Sequence, residues 1–240
     1  MRNIFRSFAL SFSLLSAIPF FRVHTFFKGI NGLSVMFYPL VGLILGLLLL
    51  VVSFVLTPYF TQTYIHIIIF ALLIAITGAL HLDGFADTID GFYVKKQRAF
   101  EVMSDPSIGG MGVIFLIVLL ILKVSTLGEM SSLLALPIVL MLARYNATLA
   151  IYIFAYVKKD GIAQLAKDEF NLTQLTITTL FVVSIVTIFN SLWLLAISLA
   201  IFALISLIFY RRYGGYSGDM YGFLIEVSEL LLLTTLVVKV

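Results

Sequence analysis

Seven apolar runs, separated by short polar segments, limit what this chain can fold into. A helix needs about 20 residues to cross about 30 Å of hydrocarbon, and most of the runs come close to or exceed that length. The second and third runs are shorter, which predicts that their helices extend into the polar segment between them. We expect an all-α, polytopic transmembrane helix bundle with about seven spans, formed as a single domain by residues 1–240. The runs cover residues 33–56, 65–80, 110–124, 130–157, 173–189, 191–210 and 221–238.

The composition excludes a soluble globular protein. Hydrophobic residues make up 62% of the 240 residues, and charged residues make up 11%. A typical soluble domain has about 45–50% apolar and about 25% charged residues, and a soluble fold still needs a polar coat. The chain has no cysteine, which excludes disulfides, thiolate metal sites and a cysteine nucleophile. The net charge is +3, but the basic residues do not form a stripe with interleaved aromatic residues of the kind that binds nucleic acids. No nucleic-acid partner is therefore expected.

One more apolar stretch, residues 4–21, stands near the N-terminus. It is flanked by Arg2, Arg6 and Arg22, and a basic start followed by an apolar middle also occurs in signal peptides. Residues 18–21, Ile-Pro-Phe-Phe, lack the small residues of a cleavage site. We therefore expect this stretch to be retained, either as a membrane helix or as a helix in the membrane interface.

Basic residues indicate which side of the membrane each loop faces. If residues 81–109 are cytoplasmic, the spans alternate from there and residues 4–21 lie in the interface, 12 of the 15 Lys and Arg residues are on the cytoplasmic side. Lys123 and Lys239 fall on the outer side, and Arg144 lies within a span. Cytoplasmic loops are enriched in Lys and Arg, so this distribution predicts this orientation in the membrane. The twelve are Arg2, Arg6, Arg22, Lys28, Lys95, Lys96, Arg98, Lys158, Lys159, Lys167, Arg211 and Arg212.

Acidic residues are few, and eight of the 12 lie in two short windows at the predicted cytoplasmic surface. In the first window, Asp83, Asp87 and Asp90 fall within about 60° of one face if residues 81–91 continue the second span as a helix. Like charges on one face repel each other, and a divalent cation would offset that repulsion. Asp83 and Asp90 would be about 10 Å apart, so one ion cannot bind all three unless the helix breaks at Gly84. We expect two ions, or one ion beside a free base; a solvated polar face is the alternative.

Residues 103–112, Met-Ser-Asp-Pro-Ser-Ile-Gly-Gly-Met-Gly, come just before the third span. Ser107 is a candidate helix cap, and the three glycines allow the backbone to come close to a bulky group. Backbone N–H groups at the start of a helix favour phosphate. The alternative is a tight turn that re-enters the membrane, with the glycines used for helix packing. The pattern leaves both alternatives open.

The second acidic window opens the last span. Asp219, Glu226 and Glu229 cover about 80° of one helix face, and two carboxylates within an apolar span are costly and usually functional. Arg144, in the fourth span, needs a carboxylate or a phosphate as its partner. We expect the two windows to line one cavity, with Asp219 near the first window. Glu226 or Glu229 is expected to pair with Arg144 behind it.

Three blocks of sequence carry these features: HLDGFADTIDG from residue 81, MSDPSIGGMG from residue 103 and GGYSGDMYGFLIEVSE from residue 214. Together they resemble the cobalamin synthase family, whose members are also called adenosylcobinamide-GDP ribazoletransferases. The segment FYPLVG from residue 37 also fits the family pattern, so the resemblance covers nearly the whole chain. Ser217 stands where the family pattern has Thr, and the hydroxyl is retained.

The resemblance implies a magnesium-dependent phosphotransferase in a bacterial or archaeal inner membrane. It would join adenosylcobinamide-GDP to α-ribazole or its 5′-phosphate and release GMP, in the nucleotide-loop assembly step of cobalamin biosynthesis. Asp83, Asp87 and Asp90 would bind Mg²⁺, Asp90 or Asp219 would take the hydroxyl proton, and Arg144 would stabilise a phosphate. The oligomeric state is left open, with a homo-oligomer as one alternative. The implied substrate-binding residues are His81, Ser104, Asp105, Ser107, Gly109, Ser217, Glu226 and Glu229.

Two other functions compete with this interpretation. Residues 87–91, Asp-Thr-Ile-Asp-Gly, are similar to the start of the CDP-alcohol phosphotransferase signature. The Ala-Arg expected next is replaced by Phe-Tyr-Val-Lys, and the later paired aspartates are missing. A secondary transporter could use Arg144, Glu226 and Glu229 as an ion path, but no inverted repeat is visible and the acids cluster at one surface. Release of a guanine nucleotide would separate these classes.

Overall fold

The chain is all-helical in the computed structural model, with no strand among the residues that are described, which confirms the predicted fold class. Arg22, Lys159 and Lys239, which the charge distribution assigns to sides of the membrane, lie outside the described residues. The structure describes residues 2–19, 21, 23, 25–158 and 162–238. The helices are α1 Arg2–Leu15, α2 Ile30–Met36, α3 Tyr38–Leu56, α4 Gln62–Thr77, α5 Leu80–Phe92, α6 Lys96–Val102, α7 Gly110–Glu129, α8 Leu136–Ile153, α9 Ile162–Glu169, α10 Leu172–Ile188, α11 Leu192–Tyr213 and α12 Gly218–Val237.

Five helices, α3, α7, α8, α11 and α12, are long and apolar enough to cross a membrane by themselves. Two pairs, α4 with α5 and α9 with α10, meet the same criteria only together and are sharply bent between their members. Counting each pair as one span gives seven, the number expected from the apolar runs. The short third run lengthens at its C-terminal end, to Glu129, and does not extend into the polar segment before it as predicted.

The second apolar run does not continue straight into the acidic segment, which corrects the expectation of one continuous helix. α4 ends at Thr77 and α5 begins at Leu80, and the two helices are bent by 83°. Gly78 and Ala79 have φ angles of 62° and 55°, and this left-handed pair turns the chain. α5 is unbroken at Gly84, so the first acidic window is a single helix at a steep angle to the span before it.

α8 is the most deeply buried of the spans, with 89% of its residues inside the bundle. α3 and α12 pack against it, and two glycines of α3 allow a close approach. A Cβ on Gly42 would collide with the carbonyl group of Leu140, and one on Gly46 would collide with Pro137. Small residues at helix crossings let membrane helices pack backbone to backbone. This packing places Arg144, on α8, in the centre of the bundle.

α1 is an amphipathic helix of 14 residues. Such a helix is about 21 Å long, which is too short to cross the hydrocarbon core. Its buried residues include the small Ala9 and Ser11, together with Phe12 and Leu15, whereas Ile4 in its first turn is exposed. These observations favour the interfacial alternative for the N-terminal stretch.

Candidate functional site

α5 and α12 carry the two acidic windows and cross in close contact. Gly84 on α5 and Gly222 on α12 permit the approach. A Cβ on Gly84 would lie 2.8 Å from the carbonyl oxygen of Asp219, and one on Gly222 would lie 3.1 Å from the carbonyl oxygen of His81. Both distances are shorter than ordinary van der Waals contacts, so larger side chains would separate the helices. Gly84, the residue at which the sequence would allow a break in the helix, is therefore the point at which α12 packs against α5.

A cavity of about 350 Å³ opens beside this crossing. It lies at one end of the bundle, because its walls include the first turns of α3 and α12 and the last turn of α8. Residues of α1, α2, α5 and α9, with Tyr156 of the loop after α8, form the remaining walls. Asp83 and Asp219 both line the cavity, so one acid from each window faces the same space. Asp83 is exposed and Asp219 half-buried, whereas His81 and Tyr221 belong to the buried part of the wall, at 5% and 7% exposure.

Lys158 also belongs to this site. The sequence predicts it only as one of the basic residues in a cytoplasmic loop. Its Nζ lies 3.1 Å from Oδ2 of Asp219, and about a quarter of each side chain is exposed (26% and 23%). Backbone hydrogen bonds from Val157 to Tyr216 and from Tyr216 to Ala155, each 2.9 Å, hold the loop after α8 against the loop before α12. The two charged residues are 61 positions apart, so no local pattern connects them.

Ser217 supports Asp219 from behind. Its side chain is fully buried, and its Oγ accepts a hydrogen bond from the backbone N–H of Met220 at 3.4 Å. It is therefore the N-cap of α12, which stabilises the first helical turn and with it the position of Asp219. The hydroxyl also lies 3.4 Å from Oδ2 of Asp219. The retained hydroxyl thus has a role in positioning the acid, and its predicted contact with substrate stays a prediction.

Asp90 does not face outward beside Asp83 and Asp87, which corrects the expectation of one shared acidic face. Its side chain is buried, and its two oxygens accept hydrogen bonds from the backbone N–H groups of Gly109 at 2.7 Å and Gly112 at 2.8 Å. A carboxylate at a helix N-terminus satisfies unpaired N–H groups and interacts favourably with the helix dipole. The N–H groups predicted to favour phosphate therefore hold a carboxylate of this chain, and Asp90 joins α5 to α7.

The segment before α7 is an exposed loop. Asp105 accepts hydrogen bonds from the hydroxyl and the backbone N–H of Ser107, and these bonds lower the pKa of Asp105. The N-cap of α7 is Gly109, so Ser107 is not the helix cap that the sequence suggests. Ser104 donates its hydroxyl to the carbonyl of Phe100 at 2.7 Å. Among the described residues that line the cavity, none comes from this loop, and its contacts with substrate stay predictions.

A network of buried charges lies in the bundle core. Arg144 pairs with Glu229, which confirms the predicted pairing of this arginine with one of the two glutamates. Nζ of Lys123 lies 2.6 Å from a carboxylate oxygen of both Glu226 and Glu229. Lys123 is 2% exposed and belongs to α7, so its assignment to the outer side of the membrane is wrong. Two cations and two anions compensate each other here, as buried charges require.

This buried network is separate from the wall of the cavity. Lys123, Arg144, Glu226 and Glu229 line a narrow cleft of their own and are absent from the described residues around the main cavity. His81 lines the main cavity and lies within electrostatic range of Arg144, Lys123 and Glu229. The structure thus brings the network next to the site but not into contact with it. Roles of Arg144, Glu226 and Glu229 towards substrate stay predictions.

The acids at the cavity fit Mg²⁺ by their chemistry. No preformed group of three metal-binding side chains occurs among the described residues. Mg²⁺ commonly binds through one or two carboxylates together with waters and substrate phosphates, so a complete cage is not required. Asp83 and Asp219 face the cavity, and Asp87 lies within electrostatic range of both, with Lys158 as a nearby cation. Repulsion between these acids is what a bound cation would relieve.

The fold and the site together define a class: an integral-membrane helix bundle with an acid-flanked cavity at one end. The chain belongs to the cobalamin-5-phosphate synthase family, whose family model matches residues 7–237. It is 36% identical over 219 residues to a protein from Acinetobacter baumannii (strain ACICU), covering 87% of each chain. It is 34% identical over 244 residues to one from Geotalea daltonii, covering 95% of each. Both relatives are named adenosylcobinamide-GDP ribazoletransferase, and no solved structure matches the chain.

Proposed function

We propose that this chain is an adenosylcobinamide-GDP ribazoletransferase, the name that its relatives carry. It joins adenosylcobinamide-GDP to α-ribazole, or to α-ribazole 5′-phosphate, and releases GMP. The product is adenosylcobalamin or its 5′-phosphate. The observation that carries the proposal is the family membership across residues 7–237, a range that contains both acidic windows and every wall of the cavity.

The reaction is a phosphoryl transfer that these residues can support. A ribose hydroxyl attacks the phosphorus next to the aminopropanol arm; a P–O bond forms, the P–O bond to GMP breaks, and the hydroxyl proton passes to a base. Such transfers depend on positioning and charge neutralisation more than on covalent catalysis. Asp83 and Asp219 lie at the cavity where they can accept that proton. Lys158, which now neutralises Asp219, can neutralise a phosphate oxygen when substrate is present.

Dependence on Mg²⁺ is part of the proposal. Asp83 and Asp219, with Asp87 beside them, would hold the ion, and bound Mg²⁺ would withdraw negative charge from the diphosphate. Asp90, predicted as a third ligand, has both oxygens engaged with backbone N–H groups and is left out of this set. We expect chelation of divalent cations to stop GMP release and added Mg²⁺ to restore it.

The direct test is GMP release by the purified protein in detergent. With both substrates and Mg²⁺ we expect GMP and the cobamide product in equal amounts, and no GMP when α-ribazole is omitted. GMP release without α-ribazole would indicate a hydrolase. Transfer from a CDP-alcohol would instead support the phosphotransferase alternative, which the family membership does not favour.

We also propose that the cavity opens on the cytoplasmic side of the inner membrane, from the distribution of basic residues. The absence of native cysteine allows a clean test with single substitutions. Lys96 is exposed and comes before the third span, and Ser131 is exposed in the loop between α7 and α8, so we choose the variants Lys96→Cys and Ser131→Cys. In intact cells we expect an impermeant thiol reagent to label the Ser131→Cys variant and to label the Lys96→Cys variant only after permeabilisation. The opposite pattern would invert the orientation.

A further inference from the structure

We propose, on the basis of the function proposed above, that the cavity holds the nucleoside substrate, an aromatic and largely apolar benzimidazole riboside. The corrinoid substrate stays outside, with only its phosphate-bearing arm reaching the mouth. This assignment distributes two very different substrates between the interior and the rim of one site. It rests on the size of the cavity, on the chemistry of its wall and on two buried polar atoms that have no partner.

Size separates the two substrates. The cavity measures about 350 Å³. α-Ribazole has about 20 non-hydrogen atoms, which at close-packed density occupy roughly 300–400 Å³. Adenosylcobinamide-GDP has about a hundred non-hydrogen atoms and needs several times that volume at the same density. The first molecule matches the cavity in volume, whereas the second as a whole exceeds it several times, so we assign its macrocycle to the space outside.

The chemistry of the wall separates ribazole from guanosine, which is of similar size and is part of the second substrate. Most polar groups around the cavity are already engaged: Ser34 donates to the carbonyl of Asn31 at 2.7 Å, and Asn31 donates its side-chain amide to Glu169 at 3.1 Å. Leu15, Ile151 and other apolar side chains form much of the remainder. A guanine base carries several donors and acceptors that would lose hydrogen bonds in such a cavity, whereas a dimethylbenzimidazole loses few.

Two buried atoms on the wall have no hydrogen-bond partner, namely Nε2 of His81 and Oη of Tyr221. Both side chains line the cavity and are more than nine-tenths buried. Both atoms are shielded from solvent, and a buried polar group without a partner is costly, so a small rotation of either side chain towards a polar group of the nucleoside would gain a hydrogen bond. Asp83 and Asp219 lie at the exposed end of the same wall. A nucleoside with its base at the buried end would present ribose hydroxyls to these acids.

Direct binding of α-ribazole to the purified protein, without the corrinoid, tests this assignment. Ala163→Leu places a larger side chain on the cavity wall at a position that is only partly buried. We expect it to weaken α-ribazole binding at least tenfold, because one extra or missing methylene in an apolar pocket changes affinity about 10–200-fold. The matched control is Ala203→Leu, the same change at an exposed position on α11, and it should leave binding unchanged. The KM for adenosylcobinamide-GDP should stay within about twofold in both variants.

A second measurement on the unsubstituted protein does not depend on the variant folding. We expect guanosine at high concentration to leave α-ribazole binding unchanged. Displacement of α-ribazole by guanosine would overturn the assignment, and so would an Ala163→Leu variant that loses affinity for adenosylcobinamide-GDP alone. Failure of the proposed function is a different result, namely no GMP release from the unsubstituted protein with both substrates present.

Discussion

Replacing Asp219 with asparagine is expected to lower turnover by about 10²–10⁴-fold, the usual contribution of a positioned acid or base. The carboxylate lines the cavity beside Asp83 and is held there by Lys158 and by the N-cap of α12. Asparagine keeps the size of the side chain and its ability to form hydrogen bonds, but it has no negative charge, so it cannot take up the proton and binds a cation more weakly. Stability should change little, because the ion pair with Lys158 is partly exposed and such pairs contribute little to folding.

The measurement is the rate of GMP release at saturating substrate, together with the thermal stability of each variant in detergent. Asp83→Asn is expected to show a loss of the same order. The control is Asp168→Asn, the same change at an exposed acid on α9 that is not part of the cavity wall. If Asp83→Asn and Asp219→Asn both turn over at near-normal rates, the two acids are a solvated surface and the reaction occurs elsewhere.

The number of spans could be predicted because hydrophobic length is a local property of the sequence. The turn between α4 and α5 could not, because it depends on a distant segment. The carbonyl of Ile76, near the end of α4, accepts a hydrogen bond from the backbone N–H of Ala17 at 2.7 Å. This bond satisfies a carbonyl that a straight helix would use internally. An alanine with positive φ at position 79 is also against its local preference, so tertiary contacts must impose it.

The convergence of Asp83 and Asp219 was predictable, since the first window follows one span and the second opens another, which brings both to the same predicted membrane surface, and both carry glycines where helices can approach. Helical periodicity alone could not distinguish Asp83 from Asp90, because both belong to the same acidic face. Their difference comes from α7, whose N-terminus covers Asp90 and leaves Asp83 exposed. The charge distribution misplaced Lys123 for a similar reason, because its position also depends on contacts with another helix. A lysine near the end of an apolar run looks like a loop residue until the facing carboxylates are known.

Replacing Lys123 with methionine is expected to lower the free energy of unfolding by about 3–5 kcal/mol, the typical cost of removing one partner of a buried ion pair. Nζ of Lys123 lies 2.6 Å from a carboxylate oxygen of both Glu226 and Glu229, and each of the three residues is at most 4% exposed. Glu229 would keep Arg144 as its partner, so the lost stability should come mainly from Glu226, whose carboxylate would be left without its cation. The midpoint of unfolding in a denaturing detergent measures the effect, and Lys96→Met, at an exposed position, is the matched control.

A second substitution identifies the cause of that loss. In the double variant Lys123→Met with Glu226→Gln, the stranded carboxylate becomes neutral, and we expect much of the lost stability to return. Residues in direct contact show such non-additive effects, whereas distant residues do not. If the double variant is less stable than Lys123→Met by the full cost of Glu226→Gln alone, the two side chains act independently. The network would then be a set of separate contacts, and the junction between α7 and α12 would depend on apolar packing.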